Sequence, residues 1–178
     1  MATRTGYEGA NAGHVKPRLT SEQVWHALAK GSFAVVSYVT PAVERRSSGV
    51  VYKAIGRRLY IAVAPDSWKA RHVAATCRVG VTVPVRRGGL LSLVRPIPPA
   101  TISFHGVADV RPAGSPQANA LVKELGSLLP KQGRACASVI EIFPEGAFLT
   151  YGLGVPLVKM FDVTAALARV PLTTQGST

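Results

Sequence analysis

The 178-residue chain is 47% hydrophobic and sets 21 Lys and Arg against 9 Asp and Glu, a formal net charge of +12. That is apolar material for one core and too little length for two, so a single domain is expected, and the charge favours an anionic partner without choosing among nucleic acid, membrane surface and phosphorylated small molecule. The longest uncharged apolar stretches, Gly31–Val43 and Gly146–Val158, are shorter than the roughly 18 residues of a spanning helix and carry Gly or Pro, while Cys77 and Cys136 stand in no CxxC or Cys/His spacing, which argues against a membrane helix, a zinc site and a disulfide framework.

Residues 1–18 contain no apolar block and read as a flexible tail without a secretory pattern, ahead of a cytoplasmic domain spanning 19–170 and a second short flexible tail over 171–178. Thr20 or Ser21 caps a helix through EQVWHALAK, with Gln23 as capping-box partner, Gly31 as the stop, and Val24, Ala27 and Leu28 as the buried stripe. Three stretches rich in β-branched and aromatic residues follow, Ser32–Val39, Ser48–Ile55 and Arg58–Ala64, separated by turns, and they predict three consecutive antiparallel strands. DSWKARHVAATC predicts a short helix capped by Asp66, and Arg78–Val85 a fourth strand. A Gly/Pro-rich connection over 86–100 leads to a fifth strand at Thr101–Val110, and a helix is expected over Ser115–Leu129. Ala137–Pro144 and Gly146–Gly152 predict two more strands, joined tightly. Six to seven short strands with two to three small helices predict an α+β, predominantly β antiparallel split β-barrel.

The cations sit in informative places. Strand periodicity puts Val51, Lys53 and Ile55 on one face and Val50, Tyr52 and Ala54 on the other, so Lys53 is an ammonium in apolar company. A helix opening after Asp66 leaves its first N–H groups free, and with Ser67, Lys69 and Arg71 it forms a donor set suited to phosphate, which Lys53 is expected to face across one pocket. Trp68 is a candidate for stacking on a flat ring.

The succession S-G-V-V-Y-K, a turn, then L-Y-I-A-V-A-P-D-S-W-K-A-R resembles the cofactor-binding segment of the pyridoxamine 5′-phosphate oxidase-like split β-barrel superfamily, which includes flavin- and deazaflavin-dependent oxidoreductases of actinobacteria. The resemblance runs from Leu19 to about Tyr151. It implies that Lys53, Ser67 and Lys69, with Arg71 added, hold the phosphate of FMN or its counterpart in the deazaflavin F420, and that the chain is a homodimer with the cofactor between subunits. It further implies hydride transfer to a small organic substrate. Two departures stand out. Ser48 occupies the place of the oxidases' arginine, so that contact is either lost or taken over by Arg45 or Arg46, and the oxidases' C-terminal Arg-x-His signature has no equivalent here, which argues against pyridoxamine phosphate as substrate.

No GxSxG elbow, glycine-loop phosphate motif, carboxylate pair or histidine ligand spacing occurs, so no catalytic residue is assigned and no metal is expected. That suits a cofactor enzyme, in which the ring system carries the chemistry. His105 shares a strand face with Ser103 and Val107 and is placed to line a cavity. Two other classes remain open: a non-catalytic split barrel that binds or sequesters haem or flavin, and a basic nucleic-acid-binding barrel, which the lack of exposed aromatics among the cations disfavours.

Overall fold

A computed structural model describes residues 19–86, 99–126, 137–156, 159–160 and 162–172. The expected N-terminal tail, the bulk of the 86–100 connection, the end of the second long helix and Cys136 lie outside the described residues.

Helix α1 (Ser21–Lys30) forms where the capping box predicts it: the Thr20 hydroxyl accepts from Gln23 N, and Gln23 Oε1 accepts from Thr20 N. Its stripe of Val24, Trp25 and Leu28 is buried against the barrel. β1 (Phe33–Val39) pairs antiparallel with β2 (Arg45–Val51) through a turn at Thr40–Glu44.

The expected second strand is not continuous. It breaks at Tyr52, whose buried hydroxyl donates to Leu28 O at 2.7 Å, and resumes as β3 (Lys53–Ile55), which pairs with β4 (Arg58–Val63). The two halves diverge completely. The strand order is β2-β1-β5-β6-β7-β4-β3, so one segment of chain supplies both ends of the curled sheet and closes it into a barrel. β5 is Arg78–Val85 and β6 is Ala100–Arg111, both near their predicted bounds.

The two strands expected over 137–152 are one 14-residue strand, β7 (Ser138–Tyr151). Gly146, at φ 72°, lets it bend without ending while the β6–β7 register shifts between Ser103 and His105. α2 is Trp68–Thr76, α3 is Pro116–Leu125 capped by Ser115, and α4 is Val163–Ala166. An unpredicted β8 (Leu167–Pro171) pairs with Ala147–Tyr151, and Leu172 N donates to Gly146 O. The result is an antiparallel, mostly β split barrel with four helices and eight strands among the described residues: of the seven expected strands one splits and two merge, and β8 is added.

Alternation sends Ala34, Val36 and Tyr38 of β1, Val79, Val81 and Val83 of β5, and Ile102 and Phe104 of β6 into the barrel, where Phe148 meets Trp25 and Phe104 edge-on. A smaller cluster outside the barrel joins Ala118, Val122 and Leu125 of α3 to Tyr60 and Val139. Beside it Glu141, 4% exposed, accepts from Arg58, Tyr60 and Arg111. No helix among the described residues is long and apolar enough to cross a membrane.

Candidate functional site

α2 begins one residue later than its sequence suggests, and Ser67, not Asp66, is the N-cap. The reason is local: Ser67 N donates to Ala64 O, so Pro65 and Asp66 form a turn, and helical backbone starts only at Trp68. The Ser67 hydroxyl makes no capping hydrogen bond, leaving it and the first helical N–H groups available at the positive end of the dipole. Lys69 is half-buried and, among the described residues, has neither hydrogen bond nor ion pair. Burial holds its pKa below the ordinary lysine value. Arg71 is exposed on the same helix.

Lys53 lies elsewhere. It stands cross-strand from Tyr60 and shares a face with Ile55, and both of those belong to the cluster under α3. Its Nζ donates to Glu124 O in the last turn of α3 at 2.8 Å. α2, by contrast, sends Val73 into the barrel interior. Periodicity grouped Lys53 correctly with Ile55, but that face is the outer one, and the expected meeting of Lys53 with Ser67, Lys69 and Arg71 is replaced by a bond to the α3 carboxyl terminus.

The β1–β2 turn supplies other cations to α2. Arg45 and Arg46 line a pocket of about 400 Å³ with Glu44, Ser47 and Trp68, and the Arg46 guanidinium carbon lies 5.9 Å from the Trp68 ring centroid. Trp68 is 45% exposed, and its edge meets His72 one turn on, with centroids 5.7 Å apart. Beneath them is Tyr38, 3% exposed. Among the described residues Tyr38 Oη, Ser48 Oγ and His72 Nδ1 are all buried without a hydrogen-bond partner. Burial raises the Tyr38 pKa, while the charge of Arg46 and the nearby Ser48 hydroxyl, which lies short of hydrogen-bond geometry, pull it back.

Ser47 links this pocket to a second one. Its Oγ is 2.7 Å from Ser37 Oγ, and Ser37 lines a groove of about 450 Å³ on the outer face of the sheet, with Gly80, Thr82, Ser103, His105, Leu149 and Arg169. Strand register explains the shape. Ser47, Ser37, Gly80, His105 and Glu145 form one cross-strand row over β2, β1, β5, β6 and β7, with the glycine at its centre. Ser37 and His105 thus stand two strand spacings apart, about 10 Å, over a floor of bare backbone. Thr82 and Ser103 in the neighbouring row are 3.1 Å apart and give that floor a hydroxyl edge. His105 lines this groove, as its strand position suggested, while the row through Gly80 depends on register between distant strands and was not visible in the sequence.

No protein-family profile matches the sequence, and no curated protein matches it. Solved structures do. The haem storage protein HutZ from Vibrio cholerae superposes with a TM-score of 0.60 at 11% identity, covering 75% of this chain and 96% of that one. An F420 reductase gives 0.51 at 18% identity, covering 69% and 93%. A putative pyridoxamine 5′-phosphate oxidase from Listeria innocua gives 0.51 at 16%, covering 70% and 92%. Identities this low speak to the fold, and with the curled antiparallel sheet they settle it: the chain has the split β-barrel fold of the pyridoxamine 5′-phosphate oxidase-like proteins.

Proposed function

We propose that the chain binds a phosphate-bearing flavin or deazaflavin, FMN or F420, and serves as an oxidoreductase acting on a small organic substrate. The observation that carries this reading is the continuity of two unlike surfaces. A flat, glycine-floored, hydroxyl-edged bed adjoins a cationic pocket at a helix N-terminus, which matches a molecule that is a planar ring at one end and a phosphate at the other. Ser67, Lys69 and Arg71, with Arg45 and Arg46, would hold the phosphate, with Trp68 at its border, and Gly80, Thr82, Ser103 and His105 would bed the ring. The cofactor supplies hydride chemistry when bound. The protein supplies orientation and charge, and no acid, base or nucleophile of its own is required. The outer face carrying the bed also exposes Phe33, Val51, Leu149 and Leu167, apolar surface suited to a second copy of the chain closing over it, in keeping with a homodimer.

Absorbance and fluorescence titration of the purified protein with FMN and with F420 tests this, alongside Gly80→Val. An added Cβ at Gly80 meets nothing closer than Ser37 Cβ at 3.9 Å, and valine suits a strand, so the variant folds while its side chain rises through the ring bed. Flavin affinity is expected to fall at least about tenfold. Wild-type protein that binds neither cofactor, or a Gly80→Val variant that binds as well as wild type, removes the reading.

Haem is the second ligand class with support. An exposed imidazole, His105, shares its groove with Arg169, a pairing suited to a metal-centred ring bearing carboxylates, and HutZ is named as a haem storage protein. A Soret band that appears with wild-type protein and is lost in His105→Ala would favour haem over flavin.

A further inference from the structure

We infer that the groove between α1 and the β3–β4 hairpin is a docking site for an extended peptide segment of a partner protein, which adds to the free edge of β3 as a further strand and presents an acidic side chain to Lys53. The groove shares no lining residue with the two pockets described above, so the site stands whether or not a cofactor binds.

The edge of β3 is open. β3 ends the strand order, and among the described residues only β4 pairs with it. Gly56 and Arg57, at φ 54° and 63°, form the two-residue turn between them, in which the flanking residues Ile55 and Arg58 exchange both backbone hydrogen bonds. Alternation gives the next such exchange to Lys53 and Tyr60, so the N–H and C=O of Ala54 point away from β4. No backbone hydrogen bond outside the ladder reaches Ala54 among the described residues. A donor and an acceptor on one strand residue are what the main chain of an extended peptide pairs with. There is room for it: Trp25, His26 and Ala29 of α1 line a groove of about 680 Å³ with Ala54 and Arg57, and a Cβ added at Gly56, on the hairpin tip, would meet nothing within 4 Å.

The two faces of β3 set the chemistry of the peptide. Ala54 packs toward the barrel core, so the peptide residue opposite it points toward Trp25 and Ala29 and is apolar. Lys53 and Ile55 lie on the outer face. Ile55 packs against the cluster under α3, and a β-branched residue opposite it extends that cluster. Lys53 donates to Glu124 O and has no carboxylate partner among the described residues. A carboxylate cross-strand from it is the complementary charge, and the net charge of +12 draws such a segment in. In antiparallel pairing these demands read along the peptide as β-branched, apolar, acidic.

The probe is the labelled, end-capped peptide Thr-Val-Val-Glu-Thr, titrated by fluorescence anisotropy at low ionic strength, with exchange of the Ala54 amide followed by NMR. Binding is expected to slow that exchange. Methylating the nitrogen of the second Val removes the peptide's donor without touching the protein, and is expected to weaken binding at least about tenfold. Ala54→Pro removes the protein's donor where it faces off the sheet, a place that tolerates proline, and should weaken binding as much while leaving the urea midpoint unchanged. Replacing Glu by Gln in the peptide should weaken binding roughly two- to fivefold with wild type and not at all with Lys53→Met. No binding by wild type at about 1 mM peptide, equal binding of the plain and methylated peptides, or equal binding of the Glu and Gln peptides by wild type overturns the inference. So does a wild-type dimer that Ala54→Pro turns into a monomer in sedimentation, since the edge then belongs to a second copy of the chain.

Discussion

Replacing Lys69 by methionine separates a lysine kept for a ligand from one kept for the fold, because the two readings give stability changes of opposite sign. In the protein alone the Lys69 ammonium is half-buried at the start of α2 without a hydrogen bond or ion pair among the described residues, and burial lowers its pKa. The folded state therefore carries a charge it solvates less well than the unfolded chain does. Methionine keeps the unbranched stem and drops the charge, so Lys69→Met is expected to stabilise the protein by ~0.5–1 kcal/mol near neutral pH. The sign of the pH dependence follows from the depressed pKa. The penalty is fully present below the folded pKa and is lifted as pH rises from there through the ordinary lysine value, so the advantage of the variant fades in alkaline solution. Affinity moves the other way: losing a charge-assisted bond to phosphate weakens FMN by about 1.5–3 kcal/mol, roughly 10- to 150-fold. Urea denaturation with linear extrapolation gives the first quantity and fluorescence titration the second. A destabilised variant, or one that binds FMN as well as wild type does, refutes this account of Lys69.

Lys53→Met provides the matching contrast. Its ammonium is bonded to Glu124 O, so the variant should lose ~0.3–1 kcal/mol of stability at the α3 carboxyl terminus and leave FMN affinity unchanged, and a large loss of affinity would return Lys53 to the phosphate site. Glu141→Gln addresses the outer face under α3. Burial raises the Glu141 pKa, but hydrogen bonds from Arg58, Tyr60 and Arg111 outweigh it, and the net shift is downward. A depressed carboxylate contributes stability that is present above its unfolded pKa and lost as pH falls through the folded one, so wild type should show an acid limb that the variant lacks. Near neutral pH the variant should be less stable by roughly 2 kcal/mol, because Arg58 and Arg111 are exposed enough to rehydrate when the carboxylate is gone. Parallel pH–stability curves would show that Glu141 does not titrate in this range.

The parts of the fold set by neighbouring residues were legible in the sequence. The α1 capping box needs only Thr20 and Gln23, and β1, β5 and β6 follow from two-residue periodicity. What the sequence hid depends on partners far along the chain. Nothing near Tyr52 announces a break; its hydroxyl is bonded 24 residues away at Leu28 O, and its neighbours on either side pair with strands at opposite ends of the sheet. Periodicity sorted Lys53 from Tyr52, but which face was interior depended on α3 covering the other one. Gly146 read as a strand end because positive φ serves a bend as readily as a turn. Around the candidate site, Ser67, Trp68, Lys69 and Arg71 were visible because they are contiguous. Arg46 entered only through the family resemblance, and Tyr38 and His72 were not visible, since only the β1–β2 register and one turn of α2 bring them together.

The distribution of unmet polar atoms bears on why the site lies where it does. A buried donor or acceptor without a partner costs about 1–3 kcal/mol, a sizeable share of the net stability of a domain this size. A chain under selection for stability alone would bond such groups or replace them with apolar ones, as this one does elsewhere: the Tyr60 hydroxyl has Glu141, the Tyr52 hydroxyl has Leu28 O, and the Glu141 carboxylate has three donors. Tyr38, Ser48 and His72 escape that pattern, on β1, β2 and α2, and so does Ser21 Oγ at the start of α1. Tyr38 and His72 pack beneath Trp68, which Arg46 overlies, so part of that cost falls beside the place where the proposed cofactor phosphate would lie, and binding there is what can offset it.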